Sequence, residues 1–172
     1  QNYFRAFSAE FLFVRGDINF RHSPQGGFGQ FYWLDAVFLL LGMFYLFTSF
    51  PKKNIRKFIL WWFLLAPVPA VLTRDGGSHA TRLILMLIPS LIIISFGVSR
   101  ISEMLFQKNK PIFWSIFALL FIFQFSLYFH RYYVHYPLES EEWWHYGFKE
   151  LAVYVKENEN KYDYVVWSDR EQ

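Results

Sequence analysis

The stretch that decides the fold is residues 112–129, IFWSIFALLFIFQFSLYF, which contains no charged side chain. Eighteen helical residues rise about 27 Å, close to the thickness of a hydrocarbon core. Pro111 stands directly before the stretch, at a position that the first turn of a helix tolerates. The pattern predicts a membrane-spanning helix over about residues 112–130.

Three further apolar stretches indicate membrane spans. They are residues 31–50 (FYWLDAVFLLLGMFYLFTSF), 58–72 (FILWWFLLAPVPAVL) and 82–98 (RLILMLIPSLIIISFGV). Pro67 and Pro69 should unwind the end of the second stretch, because proline removes a backbone donor and clashes with the preceding turn. We therefore expect an all-α polytopic membrane protein with four transmembrane helices in residues 31–130. A soluble protein with buried helices is the alternative, which the basic loops between the stretches disfavour.

The loops give the orientation of these spans. Residues 51–57, PKKNIRK, hold four basic side chains and no acid, and residues 99–110 are basic as well. Basic loops remain on the cytoplasmic side of a membrane. We expect a multi-pass protein of the plasma or inner membrane, with both ends of this chain on the extracytoplasmic side.

Two flanking regions complete the predicted organisation. In residues 1–30, aromatic and aliphatic side chains recur at three- and four-residue steps, which predicts an extracytoplasmic loop with an interfacial helix. In residues 131–172, Ser140 can cap a helix and residues 162–167, YDYVVW, alternate like a strand. This second region predicts the start of an extracytoplasmic α/β domain.

Composition excludes several classes of site and partner. The chain has no cysteine, so it holds no disulfide, thiolate metal site or thiol nucleophile. Its net charge of +3 comes with basic residues placed between apolar stretches, so we expect membrane lipid as a partner and no nucleic acid. Because the chain begins with Gln1 and stops just after the predicted strand, we expect it to be an internal piece of a longer protein.

The loop of residues 73–82, TRDGGSHATR, is the best candidate for binding chemistry. It precedes a predicted helix, whose N-terminus favours anions, and Arg74, His79 and Arg82 add donors. These groups suit a phosphate at the membrane surface. The alternative is that Arg74 pairs with Asp75 and the two arginines only anchor the interface.

Other polar residues add weaker indications. Arg21 and His22 form a second basic turn on the same side, and Asp35 lies one turn into the first predicted span. We favour a pairing of Asp35 with an outer-loop arginine over contact with a sugar hydroxyl or interfacial water. No spacing is typical of metal ligands and no Ser/His/Asp arrangement stands out. We predict no metal site and no catalytic residue in this chain, and leave open whether a divalent ion takes part.

Three segments resemble bacterial glycosyltransferase family 39, whose relatives include protein O-mannosyltransferases and the aminoarabinose transferase of lipid A. They are NYFRAFSAEFLFVRGDINFRHSPQGGFGQFYWLDAVFLLLG (2–42), APVPAVLTRDGGSHATRLILMLIPSLIIISFG (66–97) and WWHYGFKELAVYVKENENKYDYVVWSD (143–169). The most specific element is LTRDGGSHATR, residues 72–82.

The resemblance implies a multispan enzyme of the GT-C type. Such an enzyme moves a sugar from a polyprenyl-phosphate carrier to an acceptor on the outer face, with the lipid-linked sugar as donor substrate and no further cofactor. The catalytic aspartate of the family lies outside this chain, and Asp17, Asp35 and Asp75 do not match its motif. What the resemblance supports here is a role near the donor phosphate for Arg74, His79, Arg82, Arg21 and His22. The competing hypothesis is a non-enzymatic flippase or assembly scaffold that handles the same lipid.

Overall fold

The computed structural model describes residues 2–24, 27–74 and 76–166, and in these ranges the chain is helical without a strand. The α-helices are α1 (Asn2–Arg5), α2 (Trp33–Thr48), α3 (Lys53–Leu65), α4 (Val68–Val71), α5 (Leu87–Leu105), α6 (Lys110–His130), α7 (Tyr136–Glu139) and α8 (Phe148–Asn158). Short 3-10 or π-helical segments lie at Glu10–Val14, Gly76–Ser78, Ile84–Met86, Arg131–His135, Glu142–Trp144 and Glu159–Lys161.

Helices α2 and α5 cross at two glycines. A methyl group on Gly42 would lie 1.9 Å from the carbonyl oxygen of Ile93, and one on Gly97 would lie 2.3 Å from the carbonyl oxygen of Phe38. Only glycine allows two helix backbones to approach this closely. Ile93 is fully buried, so this crossing lies at the centre of the packed core.

Helix α6 adds little to that core. Within the continuous helix Lys110–Glu139, only 6% of the most apolar window is buried. Leu119 and Phe123 are 67% and 60% exposed, although Phe113 near the start of the helix is buried. Most of the apolar surface of α6 is therefore uncovered by the described part of the chain.

Within the described residues, two helices are long and apolar enough to cross a membrane, Ile84–Leu105 and Lys110–Glu139. The prediction of four transmembrane helices is therefore wrong. The two that qualify cover most of the third predicted span and all of the fourth, and they run on past residues 98 and 130.

The first predicted span forms a helix that is too short. Helix α2 has 16 residues and rises about 24 Å, less than the roughly 30 Å of a hydrocarbon core. It begins at Trp33 because the backbone N–H of Tyr32 donates to Oδ2 of Asp35 at 3.0 Å. It ends before Pro51, which disfavours helical conformation at Phe50. Asp35 thus caps its own helix in place of the expected arginine pairing.

The second predicted span is divided between two helices. Helix α3 has 13 residues, and its first turns carry Lys53, Arg56 and Lys57. It ends at Leu65, and Pro67 precedes the four-residue helix α4. The expected break at the prolines is present, but neither piece has the length to span lipid.

The predicted start of an α/β domain is also wrong for the described residues. Helix α8 is present, but residues 162–166 form no strand, and residues 167–172 lie outside the described ranges. A strand needs a neighbouring strand to satisfy its backbone hydrogen bonds, and the described ranges offer none. Ser140 does not open a long helix either, because the chain turns at His145, whose φ is 54°.

The N-terminal region forms two short helical segments instead of one interfacial helix. Phe11, Leu12 and Phe13 are buried in the core, whereas Phe4 is 77% exposed. The backbone N–H of Phe31 donates to the carbonyl of Leu12 at 2.8 Å, which holds this region beside the start of α2. The segment is part of the packed structure.

Candidate functional site

The site begins with a folded turn over residues 16–22. Gly16 has a φ of +72°, a conformation that favours glycine, and it redirects the chain after the segment Glu10–Val14. The backbone N–H of Asn19 donates to Oδ1 of Asp17 at 2.8 Å, and that of Arg21 donates to Oδ1 of Asn19 at 2.9 Å. These successive side-chain-to-backbone turns bring His22 back toward Asp17.

Asp17 is the centre of the site. Its residue is only 1% exposed. Its Oδ2 accepts a hydrogen bond from the backbone N–H of Ala80 at 2.7 Å, lies 2.9 Å from Nδ1 of His22 and lies 3.8 Å from Nδ1 of His79. A buried carboxylate is costly unless it is paired and hydrogen-bonded, and this one draws its partners from two distant segments.

Close backbone packing positions the second segment. A methyl group on Gly76 would lie 1.8 Å from the carbonyl oxygen of Ala70, and one on Gly77 would lie 2.3 Å from that of Asn2. The segment Gly76–Ser78 is therefore held between α1 and α4, and His79 and Ala80 follow it directly. Both glycines are needed for this close approach, because a Cβ at either position would meet backbone.

The two imidazoles of the site face each other. The rings of His22 and His79 have centroids 4.7 Å apart, and Nδ1 of His79 also lies 3.0 Å from Oγ1 of Thr81. Burial lowers the pKa of His79, and Arg82 and His22 lower it further, whereas Asp17 acts in the opposite direction. At neutral pH this environment favours the neutral form of His79, which can bind a metal ion or accept a proton.

Arg82 borders the site and closes the loop. Its Nη1 donates to Oγ1 of Thr73 at 2.8 Å and to the backbone carbonyl of Arg74 at 2.9 Å. The side chains of Arg74 and Arg82 are exposed. The alternative pairing of Arg74 with Asp75 involves a residue outside the described ranges.

Arg21 lies away from the cluster. Its Nε donates to the backbone carbonyl of Trp143, and its Nη2 lies 3.2 Å from Nε2 of His145. Phe20 stacks on Trp143 with ring centroids 5.8 Å apart, and the hydroxyl of Tyr136 donates to the carbonyl of Phe20. Arg21 thus connects the turn to the segment after α7, which is a structural contact.

A cavity of about 350 Å³ adjoins the cluster. His22 and Asp35 contribute polar groups to its lining, and Leu91, Phe121 and Tyr128 contribute apolar surface from α5 and α6. A site of this size and mixed character suits a ligand with a polar head and an apolar portion.

The structure therefore unites only part of the predicted set. His22 and His79 meet, Arg82 lies at the edge of the site beside Arg74, and Arg21 points elsewhere. Asp17 was missed, because the sequence around it matches no catalytic motif. The signal that points to it is the spacing Gly16-Asp17-x-Asn19, which is typical of turns closed by side-chain oxygens.

The fold brings together three residues that could hold a metal ion, which no spacing in the sequence indicates; the prediction of no metal site stays a prediction. Asp17, His22 and His79 each offer a ligand atom, and these atoms all lie within 4.8 Å of one another. Spacing alone does not show this, because His79 is far from the other two in sequence and reaches them through the fold.

Comparison with known proteins leaves function to be argued from the site. No protein family, curated protein or solved structure matches this chain. The likeness to glycosyltransferase family 39 accordingly rests on the segments quoted above.

Proposed function

We propose that this chain is part of a membrane glycosyltransferase that moves a sugar from a polyprenyl-phosphate donor to an acceptor on the extracytoplasmic face. The observation that supports this most is the position of the Asp17–His22–His79 cluster beside a cavity walled by α5 and α6. A polyprenyl-phosphate sugar has a charged head and a long apolar tail. A polar cluster beside apolar helices matches both parts.

Exposed apolar surface supports a membrane location. Ile84–Leu105 and Lys110–Glu139 are long and apolar enough to span, and the described residues leave the second almost uncovered. In water such a surface would be costly, since burial contributes about 25 cal/mol per Å² of apolar area. We place both helices in the plasma or inner membrane, with lipid against α6.

The distribution of basic residues supports an extracytoplasmic position of the site. Arg100, Lys108 and Lys110 gather where α5 ends and α6 begins, and basic residues of this kind remain cytoplasmic. His79 and Arg82 precede the opposite end of α5. The cluster then faces the extracytoplasmic side, where lipid-linked sugars are used.

The proposed chemistry is a displacement at the anomeric carbon. The acceptor hydroxyl oxygen forms a bond to that carbon, and the bond from the carbon to the phosphate oxygen breaks with its electron pair on the leaving phosphate. Arg82, His22 and His79 supply donors that stabilise the negative charge on that phosphate. The proton of the acceptor hydroxyl goes to a carboxylate base outside this chain.

The test uses the full-length protein in membranes and a radiolabelled polyprenyl-phosphate sugar. We expect His79→Ala and Arg82→Ala to reduce transfer at least tenfold while membrane abundance is unchanged, and Lys108→Ala at the other end of α5 to transfer normally. Normal transfer by both site variants would refute the role of His79 and Arg82 at the donor phosphate, and a wild type that neither binds nor uses the donor would refute the proposed function. Donor binding without any transfer by the wild type would favour the flippase or scaffold hypothesis.

A further inference from the structure

We propose that Asp17, His22 and His79 bind one divalent transition-metal ion of the zinc type. The three residues bring one carboxylate and two imidazoles together at the bottom of the turn and loop described above. Two histidines with one carboxylate form a common ligand set for zinc in catalytic sites, where a fourth position remains for water or substrate. The metal site does not depend on the proposed function; only the identity of the fourth ligand rests on that function.

The distances fit such an ion after small side-chain movements. Ligand atoms about 2.0–2.1 Å from a tetrahedral zinc lie about 3.4 Å from one another. Here Oδ2 of Asp17 lies 2.9 Å from Nδ1 of His22 and 3.8 Å from Nδ1 of His79, and the whole set lies within 4.8 Å. Both imidazoles are partly exposed, so the proposed site closes by their rotation toward the fixed carboxylate.

The surroundings of Asp17 resemble those of a metal-binding carboxylate. Backbone N–H groups of Asn19 and Ala80 fix its two oxygens, one on each. Such outer hydrogen bonds orient the first ligands around a metal ion and maintain their geometry. The carboxylate is therefore held in place before any ion arrives.

The second imidazole lies just beyond the hydrogen-bonded partners of Asp17. Oδ2 of Asp17 already has Ala80 and His22 as close partners, and an oxygen of this kind has two lone pairs. Nδ1 of His79, at 3.8 Å from that oxygen, is beyond hydrogen-bond distance from it and has Oγ1 of Thr81 as its neighbour at 3.0 Å. In the proposed site, a cation between the three groups takes the place of these neutral contacts as the shared partner.

A second observation lies next to His79. Ser78 is 5% exposed, and within the described part of the chain its Oγ has no hydrogen-bond partner. Buried hydroxyls nearly always have a partner. This hydroxyl precedes His79 in the chain and is therefore open to a further partner, which the proposed metal-bound water would supply.

The charge of the occupied site fits an anionic substrate. One ionised carboxylate and two neutral imidazoles around a divalent ion leave a net charge of about +1. Because His22 also lines the cavity, the site borders the space assigned to the donor. On the proposed function, an oxygen of the donor phosphate takes the open coordination position.

The test is metal binding by the full-length protein, purified in detergent without a histidine tag, stripped with a chelator and titrated with Zn²⁺. The number of metal ions per chain is measured by elemental mass spectrometry. Co²⁺ serves as a spectroscopic probe through its visible absorption. We expect one tightly held Zn²⁺ that Asp17→Asn, His22→Ala and His79→Ala each weaken at least tenfold. The matched control is His135→Ala, which removes half of the other histidine pair, His130 and His135, and should bind normally.

A misfolded variant would also lose Zn²⁺ binding, so the thermal stability of each variant is measured with and without Zn²⁺. A further variant, His79→Cys, tests the ligand role of His79 directly. Cysteine retains a zinc ligand, and we expect this variant to recover most of the binding that alanine loses. Equal Zn²⁺ retention by the wild type and all three site variants would overturn the proposal, as would a wild type that holds no ion.

These outcomes are separable from those of the transferase assay. A protein that transfers sugar but binds no metal refutes the metal site alone. A protein that binds Zn²⁺ at these residues but neither binds nor uses a polyprenyl-phosphate sugar refutes the proposed function alone.

Discussion

The carboxylate of Asp17 accepts a 2.7 Å hydrogen bond from the backbone N–H of Ala80, although the two residues are 63 positions apart. This contact joins the turn after Glu10–Val14 to the loop before Ile84–Met86. It places both histidines of the site beside one buried oxygen. The same hydrogen bond therefore holds the two segments together and assembles the site.

Removing that carboxylate should destabilise the protein. Asp17→Ala leaves the partly buried N–H groups of Asn19 and Ala80 without their acceptors, at a cost of up to about 1–3 kcal/mol each. We expect a lower apparent melting temperature and faster proteolysis at residues 16–24 in detergent. Asp17→Asn retains one acceptor and should lose less stability. Equal stability of Asp17→Ala and the wild type would show that the contact is not formed.

The crossing of α2 and α5 should tolerate no side chain at its glycines. Gly97→Val inserts methyl groups where a single Cβ already lies 2.3 Å from the carbonyl oxygen of Phe38. Overpacking costs about 1–3 kcal/mol and more when backbone must move. We expect a loss of thermal stability that Ser95→Ala, on the exposed side of the same helix, does not show. A stable Gly97→Val would mean that the two helices are further apart.

Arg21 should matter for structure and not for donor binding. Its guanidinium contacts Trp143 and His145, so Arg21→Ala should free the segment after α7. Hydrogen exchange of residues 140–147 should accelerate, while affinity for polyprenyl phosphate should stay within about twofold of the wild type. Strongly reduced affinity with unchanged exchange would return Arg21 to the binding site.

The orientation can be tested with single cysteines in a cysteine-free background. Arg74 and Gln107 are both exposed and lie before and after the helix Ile84–Leu105. We expect an impermeant maleimide to label Arg74→Cys, but not Gln107→Cys, in intact cells, and to label both after lysis. The opposite pattern, or labelling of both in intact cells, would contradict the proposed side of the site.

The sequence predicted the helices better than their ends. Apolar composition located α5 and α6, since a long apolar run without charged residues usually forms a buried or membrane-spanning helix. It overestimated the length of α2, because the length of a helix depends on where it is capped. Asp35 sets the start of α2, and Pro51 limits its end. The strand predicted at residues 162–167 is not formed by residues 162–166, because alternation of side chains does not supply the neighbouring strand that pairing requires.

The candidate site was predictable only in part. Residues 73–82 were predicted as an anion-binding loop because histidine and arginine side chains near a helix N-terminus favour negative charge. Asp17 was not, since a single aspartate in a turn is common and its importance comes from Ala80 and His79, which the fold brings from far along the chain. The role of Arg21 likewise depended on a contact with Trp143 that no local pattern contains.

The most direct test of the central claim is photocrosslinking of the full-length protein with a polyprenyl phosphate that carries a photoreactive group near the phosphate. The account predicts adducts on peptides that line the cavity, above all those with His22, Leu91 and Phe121, and competition by unlabelled polyprenyl phosphate. His79→Ala should reduce these adducts at least tenfold. Adducts spread evenly over the exposed surface of α6, with no competition and no effect of His79→Ala, would contradict it.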